Sequence, residues 1–209
     1  MGVIAVVTML AMLQPTLEGG QESRHPEEQH ATNNEIRRLI GEWYPRQVAK
    51  YETFDPLREI QKRVLDRARD SGDSRRVVIG ALLESLEEPE VKTFYGYRIL
   101  WYLVCDSLGE LKATEAIDIL VGSLNLDDGI GGMSVDNRPV VLGLIKIGRP
   151  AIPKLKNALT APDSTQITRI HAAEALATIG GSQAKAALRY ALRTETDEMV
   201  RSYLEARLR

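Results

Sequence analysis

Cysteine, histidine and aromatic residues are scarce in this chain, and their scarcity narrows the chemistry that it can perform. Among 209 residues there are one cysteine, Cys105, and three histidines. A single cysteine excludes an internal disulfide, and its apolar neighbours predict a buried structural thiol. No Ser, His and Asp residues are grouped in a recognisable nucleophile motif. We therefore expect no bound metal, no cofactor and no catalytic residue.

The few aromatic residues are unevenly placed, since most of them lie between Trp43 and Tyr102. Their mixed helical spacing is typical of core packing in an irregular N-terminal region. The alternative interpretation is an aromatic binding patch that includes Trp101, because Trp and Tyr are enriched at interface hot spots.

The chain also has no large excess of positive or negative side chains, since its formal net charge is only -2. That balance predicts no polyanion partner, so nucleic acid binding is not expected. The distribution is uneven, however: residues 77–136 contain 3 basic and 11 acidic side chains, whereas residues 138–209 contain 12 and 6. This asymmetry predicts a dipolar surface that steers a partner, or weak head-to-tail self-association, or exposed faces with no selected partner.

Long apolar runs are absent apart from eleven residues near the start, Val3 to Leu13. A run of that length is too short to span a bilayer and has the size of a signal-peptide core. No Lys or Arg precedes it and no clean cleavage site follows, so the alternatives are a longer signal or anchor that begins upstream of Met1, and a cytoplasmic tail. The polar stretch that follows predicts a disordered tether. Residues 1–33 are thus predicted to be a signal segment and tether of an exported protein, periplasmic or extracellular.

The stretch from Leu142 to Leu159 has the pattern that the rest of the chain repeats. An apolar run stops at Gly148, which can adopt a left-handed conformation and end a helix without a steric penalty. Two residues later Pro150 fits the first turn of a new helix, where its missing N–H would have no partner in any case. The predicted unit is therefore a helix, a tight turn and a second helix.

The same unit can be aligned on both sides of this stretch. Leucines of the second helices recur at steps of 35 and 33 residues: Leu120, Leu155 and Leu188. The predicted turn glycines are Gly109, Gly148 and Gly180. A helix pair that recurs at such a period is typical of a solenoid, in which stacked pairs bury a shared core. The predicted fold class is all-α, an α-solenoid of antiparallel helix pairs.

The segment from Arg169 to Leu188, RIHAAEALATIGGSQAKAAL, resembles the short bacterial HEAT-like repeat of the phycobilisome-lyase type. That repeat has an Arg, small residues, a Leu, an Ile-Gly pair and a second helix that ends in Ala-Leu. Arg98 and Arg169 both stand eleven positions before their predicted turn glycine, as the family's Arg does, whereas Asn137 replaces it in the middle unit. The resemblance covers about residues 98–209 and implies a HEAT-like α-solenoid that binds partners on a curved surface.

The solenoid is predicted to occupy residues 34–209, with Asn34 as the cap of a first amphipathic helix. Its predicted parts are divergent N-terminal helices at 34–92, three clearer repeats at 93–196 and a C-terminal capping helix at 197–209. Four apolar side chains of the capping helix are expected to pack inward: Met199, Val200, Tyr203 and Leu204.

Six side chains are candidate partner contacts: Trp101, Asp127, Asp128, Asp136, Arg169 and His171. The three aspartates lie in an expanded loop at 125–137, and such insertions project from one edge of a solenoid and often contact ligands. The loop is predicted to be either a mobile linker or a recognition loop.

His171 also bears on the enzymes that share this repeat. Deoxyhypusine hydroxylases hold two irons with His-Glu pairs at equivalent helix positions of several repeats. Here the pair is His171-Ala172 and the other aligned helices have no His, so the resemblance predicts no iron site. The predicted function is a non-catalytic scaffold or adaptor that binds a protein or peptide on a curved surface. The alternative is a HEAT-type enzyme or accessory protein, either bilin-lyase-like or nucleic-acid-base-processing.

Overall fold

The computed structural model describes residues 26–43, 55–87, 98–127 and 138–209, and every regular element within these ranges is helical. The α-helices of this part of the chain are α1 (Pro26–Gly41), α2 (Asp55–Arg69), α3 (Gly72–Glu87), α4 (Arg98–Glu110), α5 (Ile117–Gly122), α6 (Pro139–Ile147), α7 (Ile152–Thr160), α8 (Gln166–Ile179), α9 (Gly181–Thr194) and α10 (Glu198–Leu208). Short 3₁₀ segments lie at Thr114–Ala116, Leu124–Asp127 and Arg149–Ala151. None of the described helices is long and apolar enough to cross a membrane.

From α4 onward the helices pack in two layers. The first helices of the repeats, α4, α6, α8 and α10, form one layer in which each helix contacts the next. The second helices, α5, α7 and α9, form the other layer and also contact their neighbours in order. Helices α1, α2 and α3 pack on one another, and α3 joins the stack at α4. The predicted all-α solenoid of helix pairs is confirmed by this arrangement.

Periodic apolar residues fill the space between the layers. Leu120, Leu155 and Leu188 are each at most 2% exposed, and burial of one such side chain is worth about 1.5–3 kcal/mol. The buried apolar residues form one continuous cluster that extends from Ile36 to Leu204. The repeats are therefore held together by a shared core, as stacked helix pairs require.

Glycine ends two of the first helices, as predicted. Gly148 has φ 87° and Gly180 has φ 69°, and each donates its backbone N–H to a carbonyl oxygen four residues earlier. In the turn between α4 and α5, Lys112 adopts the left-handed conformation at φ 51°. Its ammonium group donates to the carbonyl oxygen of Lys146, so the turn is also tied to the next repeat.

The prediction that Gly109 makes a turn is wrong, because this residue lies inside α4. Its role is to let α4 and α6 cross closely. A Cβ atom on Gly109 would come within 2.8 Å of Lys146 Cβ, and one on Gly143 within 2.8 Å of the Cys105 carbonyl oxygen. The alignment of Arg98 with the family's Arg rested on a turn at Gly109, and it therefore loses its basis.

Helix α1 begins earlier than predicted. It starts at Pro26, so Asn34 lies in its interior and residues 26–33 belong to a helix rather than to a tether. Proline is favoured in the first helical turn, where its missing N–H would have no partner within the helix. The rest of the predicted signal segment and tether lies outside the described residues.

Helix α10 is capped by Asp197, whose carboxylate accepts the backbone N–H groups of Met199 and Val200, each at 3.0 Å. Val200 and Leu204 are fully buried against the preceding helices. The expectation that Met199 packs inward is wrong, because this side chain is 60% exposed. It lies one position from Val200, which faces the core, and neighbouring positions on a helix point in different directions.

Candidate functional site

Five of the described acidic residues in the middle of the chain form ion pairs within the molecule. Each of the following acidic side chains pairs with a cation of another helix: Glu84 with Arg37, Asp106 and Glu110 with Lys146, Glu115 with Arg75, and Asp118 with Lys154. Five of the eleven acidic residues between positions 77 and 136 are therefore engaged in contacts between helices.

Lys146 of α6 binds two carboxylates of α4. Its Nζ atom lies 2.5 Å from Asp106 Oδ1 and 2.6 Å from Glu110 Oε1. Burial lowers the pKa of Lys146, but hydrogen bonds and charge interactions with the two carboxylates outweigh it, so the pKa is raised. Gln61 of α2 donates to the other Asp106 oxygen at 2.8 Å, which extends this polar contact to a third helix.

Glu174 of α8 is a second carboxylate held between helices. Its side chain is only 3% exposed and pairs with Arg138, the residue before α6. On the other side Arg207 of α10 lies 3.6 Å from Glu174 Oε1 and donates to the Tyr203 hydroxyl at 2.8 Å. Burial raises the pKa of Tyr203. These charges serve packing between repeats.

Arg169, a predicted partner contact, is engaged within its own repeat. Its Nε atom lies 3.1 Å from Glu195 Oε2 in an ion pair, and its Nη1 atom donates to the Ser164 carbonyl oxygen at 2.7 Å. The side chain is 18% exposed and that of Glu195 only 8%. The structure thus places Arg169 where it fastens the two loops that flank α8 and α9.

His171, another predicted contact, is buried at 5% exposure. Its Nδ1 atom lies 2.8 Å from the Leu124 carbonyl oxygen. Because a carbonyl oxygen can only accept, Nδ1 carries the proton in this contact. His171 therefore joins α8 to the 3₁₀ segment at Leu124–Asp127 and lines no open surface.

The remaining candidates do not form a site with these residues. Trp101 is 7% exposed in α4, so it belongs to the core and not to a surface patch. Asp127 is the last residue of a 3₁₀ segment. Asp128 and Asp136 lie outside the described residues, and the recognition-loop hypothesis remains a prediction.

A different set of side chains lies on the second helices α7 and α9. Neither helix contains an acidic residue, and their exposed positions carry what we call the basic face: Lys156, Lys185, Arg189, Tyr190 and Arg193. Tyr190 is 45% exposed, one of the few large apolar side chains at the described surface that is not covered. The Lys156 ammonium group lies 5.2 Å from the centre of its ring.

The three cations that α9 contributes to the basic face form no ion pair within the described part of the molecule. The side chains of Lys185, Arg189 and Arg193 have no hydrogen-bond or ion-pair partner among the described residues. The three positions follow one another at intervals of four, so they lie along one side of α9. At about 1.5 Å per residue this row is about 12 Å long.

The sequence contains a signal for this surface. In α7 and α9 every charged residue is basic, and the spacing of residues 185, 189 and 193 places three cations on one side of a helix. The charge count over residues 138–209 does not reveal this row of cations. Basic residues that pair internally, such as Arg138 and Arg169, contribute to that count as much as unpaired ones do.

An open groove of about 820 Å³ lies beside α10, lined in part by Gln166, Met199, Ser202 and Tyr203. Gln166 donates to both oxygens of Asp197, at 3.1 and 2.9 Å. The backbone N–H of Val200, the amide of Gln166 and the backbone N–H of Met199 together lower the pKa of Asp197. Two polar side chains of this groove, those of Gln166 and Asp197, are thus occupied by the capping of α10.

Within the ranges that the structure describes, no group of three or more His, Cys, Asp or Glu side chains has the spacing of a metal site. Cys105 is a buried thiol.

Comparison with known proteins covers the C-terminal part of the chain. A family model described as HEAT repeats matches residues 137–209, about a third of the chain. No curated protein and no solved structure matches. The matched segment comprises α6 to α10 and so includes the whole basic face. Residues 137–209 are similar to HEAT repeats, and with the two-layer fold this supports a HEAT-like repeat protein.

Proposed function

We propose that the protein is a non-catalytic scaffold that binds a protein or peptide partner, and that the basic face is its contact surface. The observation that carries this proposal is the contrast between two kinds of charge. Many charged side chains in the stack pair across helices, whereas Lys185, Arg189 and Arg193 of α9 point to solvent without a partner among the described residues.

The composition of the basic face supports an interface. Arg and Tyr are enriched among the residues that contribute most to binding between proteins, and here Arg189 and Tyr190 are adjacent in sequence. The face lies on consecutive second helices, so it is a property of the stack and not of one element. HEAT repeats often serve as protein-interaction scaffolds, and the matched segment contains all of these residues. The enzyme alternative has no observation among the described residues in its favour.

The test is capture of partners from the source organism with the purified chain, followed by chemical cross-linking. A variant that neutralises the basic face replaces four cations with glutamine: K156Q, K185Q, R189Q and R193Q. A matched control neutralises four exposed cations of α1 to α3: R38Q, K62Q, R69Q and R76Q. We expect a reproducible partner with the wild type and the control, and loss of that partner with the first variant. If all three proteins bind the partner equally well, the interface lies outside the basic face.

We further propose that the protein is exported. The apolar run from Val3 to Leu13, followed by a polar stretch, supports this proposal. Intact-mass measurement on protein isolated from its own host is expected to give a chain that lacks this run. A cytoplasmic product that retains Met1 would contradict it.

A further inference from the structure

The positive charge of the basic face indicates the chemical class of the partner. We propose that it binds a short acidic peptide segment, whose carboxylates pair with the cations of α7 and α9 and whose apolar or aromatic side chain packs on Tyr190. This inference rests on the proposed function and specifies the chemistry of the partner.

The sign of the partner's charge follows from the cations themselves. Four of them lie on two neighbouring helices, and these helices carry no carboxylate that could neutralise them. Guanidinium groups form paired hydrogen bonds with carboxylates, which gives direction as well as attraction. The row formed by Lys185, Arg189 and Arg193 matches a segment whose acidic side chains recur at a similar spacing.

The size of the partner follows from what surrounds the face. On one side lies α5, where the Asp118 side chain is 74% exposed even though it pairs with Lys154. Beyond the end of α9 comes Glu198, whose side chain is exposed. A segment longer than the row of about 12 Å would meet these carboxylates. The face therefore favours a short acidic stretch.

The same surroundings disfavour nucleic acid. Duplex DNA carries a negative charge about every 1.7 Å along its axis, so its phosphates would extend past the cations onto the flanking acidic residues. The net charge of the whole chain is -2, which provides no long-range attraction for a polyanion. An acidic peptide can end where the cations end.

Tyr190 provides the apolar contact at the centre of the face. Its ring is 45% exposed and lies beneath the Lys156 ammonium group. A carboxylate that pairs with Lys156 would bring its own aliphatic stem, or the next side chain, onto this ring. The face thus combines two features. Its cations favour a negatively charged partner and speed its association, and Tyr190 provides one aromatic anchor.

The experiment measures binding of a fluorescently labelled synthetic peptide with glutamate at every fourth position and a central phenylalanine. Fluorescence anisotropy with the full chain should show saturable binding that weakens as salt rises. The K156Q/K185Q/R189Q/R193Q variant should bind at least about tenfold more weakly, since each exposed ion pair contributes a fraction of the total. The R38Q/K62Q/R69Q/R76Q control should bind as the wild type does.

A second variant separates the aromatic contact from the charges. Tyr190→Ala should weaken binding several-fold while leaving the salt dependence unchanged, because it removes apolar area and no charge. Circular dichroism and thermal melting verify that all variants are folded, which is expected because every substituted side chain is exposed.

Three outcomes would overturn the inference: equal binding by the neutralised variant and the wild type, equal binding of a peptide with lysine in place of glutamate, or tighter binding of single-stranded or duplex oligonucleotides. Light scattering tests whether a second copy of the chain binds to the basic face. Such self-association would also overturn the inference. If the peptide fails while the chain still captures a protein partner, the scaffold proposal stands without this inference. If no partner is captured either, both fail.

Discussion

His171 illustrates how a single polar side chain can join two repeats from within the core. It is 5% exposed on α8 and contacts the carbonyl oxygen of Leu124, which follows the second helix of an earlier repeat. Leu124 is the first residue of the 3₁₀ segment that follows α5. The imidazole N–H thus ties α8 to the connection that leaves the second helix of the earlier repeat.

Replacement of His171 is expected to destabilise the fold. In His171→Ala the Leu124 carbonyl loses its donor, which costs about 1–3 kcal/mol, and a cavity adds to this. Asn can place an amide N–H near the position of Nδ1, so His171→Asn should be closer to the wild type. Urea unfolding of the three proteins measures the difference. Equal losses in the two variants would mean that packing, and not the hydrogen bond, is what the ring provides.

Asp197 is expected to make stability depend on acid pH. The N–H of Val200 and then the amide of Gln166 hold the pKa of its carboxyl below the ordinary value of 3.8. A carboxyl with a lowered pKa in the folded state stabilises above its unfolded pKa, and this contribution is lost as the pH falls through the folded value. Asp197→Asn caps a helix without titrating, so its melting temperature should fall less below about pH 4. Parallel melting curves against pH would contradict this.

At the scale of elements, α4 and α6 cross in close contact. Gly109 and Gly143 leave no room for a side chain there, because an added Cβ atom would lie 2.8 Å from its nearest neighbour in each case. At Gly143 that neighbour is the Cys105 carbonyl oxygen, a backbone atom that cannot move away by a rotamer change. The distance between these helices is thus set by glycine.

Gly143→Ala should separate α4 from α6 and cost about 1–3 kcal/mol, in the range of overpacked cores. Gly80→Ala in α3 is the matched control, because a Cβ atom there meets nothing within 4 Å. Since alanine is favoured over glycine inside a helix by about 0.5–1 kcal/mol, the control should be neutral or stabilised. Thermal melting of both variants provides the comparison. A stabilised Gly143→Ala would show that the crossing can widen freely.

At the scale of the whole molecule, α10 covers the last complete helix pair. Val200 and Leu204 are fully buried, each worth about 1.5–3 kcal/mol, and α10 contacts both α8 and α9. A chain that ends at Asp197 would expose the apolar sides of these helices. Such a loss is a large part of a typical total stability of about 5–15 kcal/mol.

We therefore expect truncation after Asp197 to lower the melting temperature and to cause self-association. Melting and light scattering of the truncated and full chains measure both effects. A matched control is the double variant Met199→Ser and Glu205→Ala, which alters exposed positions of α10 and should leave both properties unchanged. A truncated chain that is equally stable and monomeric would identify this segment as a tail.

The repeating part of the fold could be predicted because burial imposes a period. Leu120, Leu155 and Leu188 must face the core in each unit, and Gly148 must take a conformation that favours glycine. Gly109 could not be assigned correctly, since glycine serves turns and close crossings alike and local sequence does not distinguish them. The outcome for Gly109 depended on a neighbour 34 residues away, Gly143.

The candidate site was harder to predict for a related reason. A cation is available to a partner only if no carboxylate of the fold claims it, and that depends on contacts between distant segments. Arg169 and Arg189 are equivalent in a charge count, yet one is bound to Glu195 and the other faces solvent. The sequence shows basic residues at intervals of four in α9. Their importance, however, depends on the fact that no described carboxylate pairs with them.

Glu174 has a consequence for the way the stack comes apart. In a simple solenoid each repeat interacts with its immediate neighbours, so the end can fray one helix at a time. Here one buried carboxylate of α8 binds Arg138 beside α6 and Arg207 of α10. If either cation moves away, the buried negative charge is less well paired, which is energetically costly. Opening is thus expected to be cooperative across α6, α8 and α10. Native-state hydrogen exchange should find their amides protected by a common free energy, whereas successively lower values toward the C-terminus would indicate fraying.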